Sequence, residues 1–491
     1  MFVKGLFSEV FLTNDMLQKA KALIAEKKFA PALQTLKDFL ASNCLHEEAN
    51  ILFLALAIDL RVYDLASAQA LSVYETLKVS LSFQLLLGRL YFHLGQKESA
   101  SKHLLLGYAL NPQIKANYEL AKFYHQKMSF EVPLIKSDIV FVTGGYFMPQ
   151  NFNGATLDSQ ALGGSESAVI SVAKYWVKKG RSVVVYCNCK DPGIYDGVTY
   201  RPNWEFYYAY YGREIPLLIA ARYDEYLIPP IKADKKILWL HDVPQTRLYA
   251  HLRQDNFYAE KVICLSDYHI KMWIKHLLFD EQIVFKTRNG FDPAFFSDLP
   301  LKPENEIIYA TRPSRGLDAA IAIFEKLYEQ NNQLKLKICT YSQEINLADD
   351  REYAPYLKYQ NRPGVLFLGA LPKKEFILEL SKSLFMLYPN TSEPETSCIS
   401  AIESMAAGCP VITSDRGALS ETVRDGIGGI VIPCSADPEK HKADFVERGS
   451  ELMNDPKKLL SLRQTCKKFA WSHYQWADIV SEWDEHFFKK V

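Results

Sequence analysis

Two glutamates late in the chain, Glu395 and Glu403, are spaced so that they could hold one ligand from both ends. Glu395 follows an apolar run, Leu384–Tyr388, which predicts a buried strand. From about Thr396 to Ala407 the pattern predicts a helix, and the next strand begins soon after it, at Val411. We therefore expect a parallel βαβ crossover whose loop lies at the carboxyl edge of the sheet, where open α/β sheets bind ligands.

The backbone between the two glutamates is predicted to bind an anion. Four amides would be free at the start of this helix, where the helix dipole favours phosphate or diphosphate: those of Thr396, Ser397, Cys398 and Ile399. A nucleotide sugar needs this combination, because its sugar hydroxyls, its diphosphate and its ribose hydroxyls each require a contact. The alternative is that Glu395 is a charge at a helix start and Glu403 a solvated helix residue, the ordinary state of such side chains.

The residues that follow this pair carry a family resemblance. Glu403 is followed by Ser-Met-Ala-Ala-Gly-Cys-Pro-Val-Ile and, a few residues later, by Gly-Ala-Leu-Ser-Glu at 417–421. This run resembles the signature of the retaining, GT-B-fold glycosyltransferases of family 4 (glycosyl transferases group 1), and the resemblance extends over roughly residues 138–487. It implies two facing Rossmann-like domains, the second binding a nucleotide sugar and the first an acceptor. It also implies transfer with retention of the anomeric configuration and no metal requirement.

The resemblance assigns roles to both glutamates and to two arginines. Glu395 would hold the hydroxyls of the donor sugar and Glu403 those of the ribose. Arg312 and Arg315, with the amides of residues 396–399, would stabilise the leaving diphosphate. The loop is two residues shorter than in relatives, which have Lys at the second position; Arg315 matches that position well and Arg312 is the weaker match. Two guanidiniums near a helix start can bind phosphate oxygens bidentately, and the alternative is a pair of solvated surface arginines.

A glycine pair in the first half matches the family's amino-terminal loop. Gly163 and Gly164 stand in Gly-Gly-Ser-Glu, directly before a predicted helix at Ser167–Lys178. Adjacent glycines before a helix let the backbone approach a diphosphate without an intervening side chain, although a bare pair is usually only a turn. The resemblance makes both glycines candidates for donor contact. The Gly-x-Gly-x-x-Gly fingerprint is absent from this loop, which argues against a dehydrogenase.

His241 and Leu371 complete the predicted site. His241 directly follows the predicted strand Ile237–Leu240. Relatives have at this place a histidine that faces the donor sugar, and the alternative is a structural histidine. Leu371 lies in a loop that contacts the nucleotide base in relatives. The residues with predicted catalytic roles are His241, Arg312, Arg315 and Glu395.

One departure from the family limits what can be said of the donor. Relatives have Glu-Gly-Phe-Gly where this chain has Glu395-Thr-Ser-Cys398, and the loss of both glycines narrows the backbone conformations available near the sugar. The identity of the donor therefore cannot be taken from a relative. We expect a UDP- or GDP-sugar carrying a hexose, with no further cofactor.

The amino-acid composition limits which other partners and which cellular compartment we expect. The 491 residues contain 57 Lys plus Arg and 57 Asp plus Glu, so no global charge would attract nucleic acid. The nine cysteines lack metal-ligand spacing, which favours a metal-free protein in a reducing, cytoplasmic compartment. Neither a signal peptide nor a membrane-spanning run is evident in the sequence, so we expect a soluble protein. Peripheral membrane contact remains open, because family relatives often glycosylate lipids.

The first part of the chain is repetitive. Ala32, Ala66 and Ala100 recur at intervals of 34 residues, which is the tetratricopeptide period. The resulting fold class is α/β with an all-α amino-terminal extension: a GT-B fold preceded by a short tetratricopeptide-like solenoid. The predicted domains are the repeats at 1–132, a first Rossmann-like domain at 136–297, a second at 298–465, and terminal helices at 466–491 that cross back to the first.

Three hypotheses for the function remain open at this point. In the first, the repeats present a protein or peptide acceptor to a glycosyltransferase. In the second, the transferase acts on a glycan or a lipid-linked acceptor, as in lipopolysaccharide synthesis, and the repeats serve packing or homo-oligomerisation. In the third, the protein is a scaffold whose transferase portion no longer turns over.

Overall fold

The structure is a computed structural model that describes residues 15–77, 80–97, 99–100, 103–104, 134–144, 151–203, 205–210, 213–227, 231–244, 258–276, 280–300, 302–339, 358–359 and 361–488. These residues belong to two compact units. The first unit comprises the described residues up to Leu134, with two short segments that fall within 204–212 and 228–231. The second unit comprises the remainder, including both sheets.

The first unit is helical in its described residues. A helical stretch at 15–25 precedes four helices, in which α2 packs against each of the others, and the short helix Glu205–Tyr210 also belongs to this unit. The four helices are α1 (Phe29–Ser42), α2 (Glu47–Asp59), α3 (Tyr63–Leu77) and α4 (Leu81–His93). The alanines at the repeat interval, Ala32, Ala66 and Ala100, are all fully buried. The all-α region is confirmed, and its assignment to the tetratricopeptide repeats stays a prediction.

The first sheet of the second unit has eight strands in the order β3-β4-β2-β1-β5-β6-β7-β8. Neighbouring strands are parallel, except that β3 and β4 form an antiparallel pair. The strands are β1 (Ile139–Val142), β2 (Val183–Cys187), β3 (Gly193–Tyr195), β4 (Val198–Pro202), β5 (Glu214–Ala221), β6 (Lys232–Trp239), β7 (Lys261–Cys264) and β8 (Val284–Lys286). The helices of this half are α5 (Gly164–Lys178), α6 (Asp267–His276) and the short Thr156–Ser159.

The second sheet has six strands, all parallel, in the order β11-β10-β9-β12-β13-β14. They are β9 (Glu306–Tyr309), β10 (Lys335–Cys339), β11 (Val365–Gly369), β12 (Met386–Tyr388), β13 (Val411–Ser414) and β14 (Gly429–Ile432). The accompanying helices are α7 (Leu317–Gln330), α8 (Lys373–Lys382), α9 (Ile399–Ala406), α10 (Leu419–Val423) and α11 (Pro438–Asn454). Central strands such as β9 and β13 are buried along their whole length, as parallel strands covered on both faces must be.

The chain ends in two helices, α12 (Pro456–His473) and α13 (Trp476–Phe488). The fully buried Trp483 of α13 lies with its ring centroid 4.8 Å from that of Trp239 in β6 and 5.7 Å from that of Trp176 in α5. Its indole N–H donates to Thr287 Oγ1 at 2.8 Å. The last helix therefore belongs to the core of the first sheet, although it follows the second sheet in the sequence.

Candidate active site

The predicted crossover is present, but its helix begins later than the sequence indicates. β12 leads through a loop into α9, and α9 leads into β13. The helix begins at Ile399 with Cys398 as its N-cap, three residues after the predicted start. Cys398 and Ile399 therefore contribute amides at the helix start, whereas Thr396 and Ser397 lie in the preceding loop. The amides of the next two residues also lie in the first turn of α9, and that of Ala401 donates to the thiol of Cys398.

Tertiary hydrogen bonds hold that loop in its nonhelical conformation. The hydroxyl of Thr396 donates to the carbonyl of His241 at 2.8 Å. Asn289 binds Ser397 twice, because its N–H donates to the Ser397 hydroxyl at 3.1 Å and its side-chain amide to the Ser397 carbonyl at 2.8 Å. The loop is thereby attached to segments that follow β6 and β8 of the first sheet. Both hydroxyls serve this attachment, and so we now assign the loop a positioning role.

The carboxylate of Glu395 is buried and held by two donors. Arg315 Nη1 lies 2.5 Å from Glu395 Oε1, and the Tyr388 hydroxyl donates to the same oxygen at 2.5 Å. Burial, followed by the Glu395 charge, raises the pKa of Tyr388 well above its usual value, so that the phenol remains a proton donor. The Nε atom of Arg315 also lies 3.1 Å from Glu393. The guanidinium is therefore fixed between two carboxylates.

Two glycines with positive φ allow these loops to converge. Gly316, with φ of 111°, ends the turn that carries Arg315, and a Cβ there would lie 2.4 Å from the carbonyl oxygen of Pro389. Gly417, with φ of +70°, forms a β-bridge with Glu395, and a Cβ there would lie 2.5 Å from the backbone nitrogen and oxygen of Glu395. Only glycine satisfies both the conformation and the close approach.

Arg312 and Leu371 follow the carboxyl ends of β9 and β11 in the second sheet. Arg312 is exposed and begins the turn that carries Arg315; its carbonyl accepts a hydrogen bond from Tyr309 at 2.6 Å. Leu371 is partly buried and packs against the apolar cluster that includes the buried face of α9. Both residues therefore lie at the carboxyl edge of the second sheet, the edge at which the Glu395 loop also lies.

Glu403 lies in the second turn of α9 and is buried. Both of its carboxylate oxygens contact the ammonium of Lys373, at 2.8 and 3.0 Å. Burial raises the pKa of Glu403 above its usual value, while the charge and hydrogen bond of Lys373 act in the opposite direction. Glu403 is therefore not a solvated helix residue.

His241 lies just beyond the carboxyl end of β6 and is buried. Its ring centroid is 4.4 Å from that of Trp239. Burial, with smaller contributions from Arg222 and His269, holds the pKa of His241 well below its usual value, so the imidazole is neutral near pH 7. Within the described part of the chain its Nε2 atom has no hydrogen-bond partner, which leaves a polar atom that a ligand could satisfy.

The glycine pair lies at the start of α5. Gly163 is its N-cap and Gly164 its first residue. A Cβ built on Gly164 would lie 3.6 Å from the Cδ1 atom of Ile399, the first residue of α9. The N-termini of α5 and α9 therefore lie next to each other, one in the half with the first sheet and the other in the half with the second. Helix N-termini favour anions.

Arg222, which was given no role from the sequence, links the start of α5 to the segment that follows β6. Arg222 follows β5 and has φ of 73°, which is unusual for a residue other than glycine. Its guanidinium donates to Asp242 at 2.8 Å and to the hydroxyl of Ser165, in the first turn of α5, at 2.9 Å. It also lies 3.8 Å from Glu166. Arg222 thus links the glycine loop to the segment that carries His241.

Four residues that orient the site were assigned no such role from the sequence. Three of them have a partner at least 30 residues away in sequence, whereas the partner of Tyr388 lies seven residues later, and the available hint was a polar side chain next to a predicted strand or helix end. These residues are Arg222, Asn289, Lys373 and Tyr388.

The described part of the chain contains no group of His, Cys, Asp or Glu arranged to hold a metal ion. No helix within the described ranges is both long and apolar enough to cross a membrane. All nine cysteines are free thiols.

Comparison with known proteins places the part of the site that lies in the second sheet within a family. Residues 293–469 match the family described as Glycosyl transferases group 1. They therefore form a domain of that family, whereas membership of family 4 and a retaining mechanism stay predictions. The alpha-maltose-1-phosphate synthase of Mycolicibacterium smegmatis is 28% identical over 148 residues, which are 28% of this chain and 38% of that protein. An uncharacterized glycosyltransferase of Methanocaldococcus jannaschii is 30% identical over 172 residues, 34% of this chain and 40% of that protein.

The chain thus spans about two fifths of each of these curated relatives. Similar solved structures cover more of the molecule. Sucrose-phosphate synthase from Thermosynechococcus elongatus has a TM-score of 0.54 at 18% identity, covering 71% of this chain and 98% of that one. HepE from Anabaena in complex with UDP-glucose has a TM-score of 0.53 at 15% identity, covering 72% and 99%. WaaG, a glycosyltransferase involved in lipopolysaccharide biosynthesis, has a TM-score of 0.52 at 14% identity, covering 72% and 100%. These likenesses show that the fold is GT-B-like.

Proposed function

We propose that the protein is a retaining, metal-independent glycosyltransferase that moves a hexose from a nucleotide sugar to an acceptor. The observation that carries this proposal is the arrangement around α9. Two buried carboxylates, Glu395 and Glu403, flank the start of a helix in a glycosyl transferases group 1 domain, and each is held by a cation. Burying a carboxylate costs free energy unless a partner offsets it. Here Arg315 and Lys373 are those partners, and they fix the orientation in which each carboxylate would meet a hydroxyl-rich ligand.

Each part of the donor has a counterpart in this arrangement. Glu395 would accept hydrogen bonds from the sugar hydroxyls, and Glu403 from the ribose. The first-turn amides of α9 and the guanidinium of Arg315 would bind the diphosphate, with Arg312 as a second cation. UDP-glucose is bound in the HepE structure, and we propose a UDP- or GDP-sugar for this chain.

The reaction would require little proton transfer from the protein. The acceptor hydroxyl oxygen attacks the anomeric carbon, the bond from that carbon to the diphosphate oxygen breaks, and the acceptor proton passes to the departing phosphate. Arg315 and the α9 amides would stabilise the developing negative charge. Neutral His241, whose buried Nε2 atom has no hydrogen-bond partner among the described residues, would face the donor sugar.

For the acceptor we propose a protein or peptide presented by the helical first unit. The support is the close packing of that unit: Ala32, Ala66 and Ala100 are buried at the repeat interval, and a Cβ on Gly88 would lie 2.5 Å from Leu104. Such stacked helices form extended binding surfaces in repeat proteins. A glycan or lipid-linked acceptor, with the repeats serving assembly, is the competing proposal.

A ligand panel tests the donor assignment. The intact protein is heated with UDP-glucose, GDP-mannose, ADP-glucose or dTDP-glucose, and a ligand that binds the native state must raise its stability. At least one should raise the melting temperature, and Glu403→Gln should remove or greatly reduce that shift. A shift that survives unchanged in the variant would refute the ribose contact, and no shift with any donor would refute the proposed function.

A truncation tests the acceptor. If a chain lacking residues 1–132 still hydrolyses the donor but no longer modifies a protein acceptor, the first unit presents that acceptor. If it still transfers sugar to the same acceptor, the first unit does not. Segments within 204–212 and 228–231 belong to the same compact unit, so the truncated chain must first show a cooperative melting transition.

A further inference from the structure

Lys373 forms the one ion pair that Glu403 makes within the described residues, and the sequence analysis gave it no role. It is the first residue of α8, thirty positions before Glu403, and its side chain is only 14% exposed. Its ammonium contacts both oxygens of the carboxylate, at 2.8 and 3.0 Å. A buried lysine that holds one carboxylate in this way fixes both its orientation and its charge.

Two other charged side chains on the helices that pack against α9 are engaged elsewhere. On α12, Arg463 donates to the carbonyls of Ser383 and Ser381, at 2.6 and 2.9 Å. On α10, Glu421 accepts the backbone N–H groups of Asp267 and Tyr268 at the start of α6. The charge state of Glu403 therefore depends chiefly on burial and on Lys373.

We propose that Lys373 is a positioning residue for the donor: it keeps Glu403 ionised and oriented, so that the ribose diol meets a charged acceptor. This inference rests on the proposed function. A hydrogen bond to an ionised carboxylate is roughly twice as strong as one to a neutral group. Without the ammonium, burial would act on Glu403 unopposed and its pKa would rise further, which favours the neutral carboxyl as the pH falls.

The pH dependence of donor affinity tests this role. The dissociation constant of the nucleotide sugar that stabilises the wild-type protein is measured by calorimetry from pH 6 to pH 8.5. Lys373→Met should weaken binding, and the loss should grow as the pH falls, by up to about tenfold for each unit below the new pKa of Glu403. Lys373→Arg should restore most of the affinity, because it retains the charge.

A neighbouring lysine provides a matched control. Lys374 has the next position in α8 and is exposed, so Lys374→Met removes the same charge from the same turn without touching Glu403. It should leave the affinity and its pH profile unchanged. If Lys373→Met and Lys374→Met bind the donor equally at every pH, the inference is wrong even though the proposed function stands.

A double variant keeps the test decisive if Lys373→Met does not fold. Lys373→Met with Glu403→Gln removes both charges from the buried site, so it should be more stable than Lys373→Met alone. Its donor affinity should be weak and independent of pH. If Lys373→Met lowers the donor affinity by the same factor at every pH, Lys373 only supports packing, and the inference is overturned. A wild-type protein that binds no donor would overturn the proposed function itself.

Discussion

Arg315 and Glu395 form an ion pair, with 2.5 Å between Nη1 and Oε1, across 80 residues of sequence. The arginine comes from the turn after β9 and the glutamate from the loop after β12, and these two strands are neighbours in the sheet. The same glutamate oxygen accepts the Tyr388 hydroxyl. The cation proposed to bind the diphosphate is therefore held by the carboxylate that is proposed to bind the sugar hydroxyls.

We expect Arg315→Met to lower the rate of sugar transfer by about a hundredfold or more, since it removes a cation from the leaving group. Arg315→Lys should retain part of the activity, because it keeps the charge but loses the bidentate geometry. Initial rates at saturating donor measure the effect. Arg448→Met, at an exposed ion pair on α11, is the control and should have no effect. Equal rates in Arg315→Met and wild type would contradict the assignment.

Gly417→Ala should destabilise the protein and weaken donor binding together. Its φ of +70° disfavours alanine, and the added Cβ would lie 2.5 Å from backbone atoms of Glu395. Gly426→Ala is a matched control, because Gly426 has φ of +72° with nothing within 4 Å of the added atom. The control should show only the cost of the strained φ, about 1–2 kcal/mol, with normal donor binding. The prediction fails if the two variants melt at the same temperature and bind the donor equally.

The imidazole of His241 should remain neutral from pH 6 to pH 8. Its pKa is held well below the usual value by burial, and Arg222 lowers it further. Arg222→Met should therefore raise the pKa of His241, while leaving it below the ordinary value because burial remains. Nitrogen-15 spectra of the imidazole groups measure this directly. A His241 resonance that titrates near pH 6.5 in the wild-type protein would contradict the structure.

The buried histidines also make stability depend on pH. The pKa of His269 is lowered to about 4, chiefly by burial, and that of His241 is lowered as well. The unfolded chain takes up these protons below about pH 6.5, whereas the folded chain does not. Stability should therefore fall as the pH drops from about 6.5 towards the folded pKa values. His241→Asn should show a smaller fall than wild type in melting temperatures recorded from pH 7.5 to pH 5; an identical fall would contradict the assignment.

Much of the second sheet could be predicted from the sequence, because its strands are short apolar runs and α9 has a helical period. The start of α9 could not. Thr396 and Ser397 are kept out of the helix by His241 and Asn289, which lie 155 and 108 residues earlier in the chain. Local sequence patterns carry no information about such bonds between residues far apart in the chain.

The side chains that orient the site escaped prediction for the same reason. Glu403 was identified from its spacing, but its partner Lys373 precedes it by thirty residues, on another helix. Arg222 follows an ordinary apolar strand, and only the fold shows that its guanidinium reaches both Ser165 and Asp242. The sequence pattern therefore predicts which groups would touch the donor, whereas the side chains that hold those groups in place depend on tertiary structure.

The position of a bound nucleotide tests the central claim most directly. A crystal structure of the intact protein with UDP or GDP, whichever the panel selects, should place the diphosphate against Arg315 and the first-turn amides of α9. The ribose hydroxyls should lie within hydrogen-bond distance of Glu403. A nucleotide bound elsewhere, with residues 395–403 making no contact to it, would contradict the account.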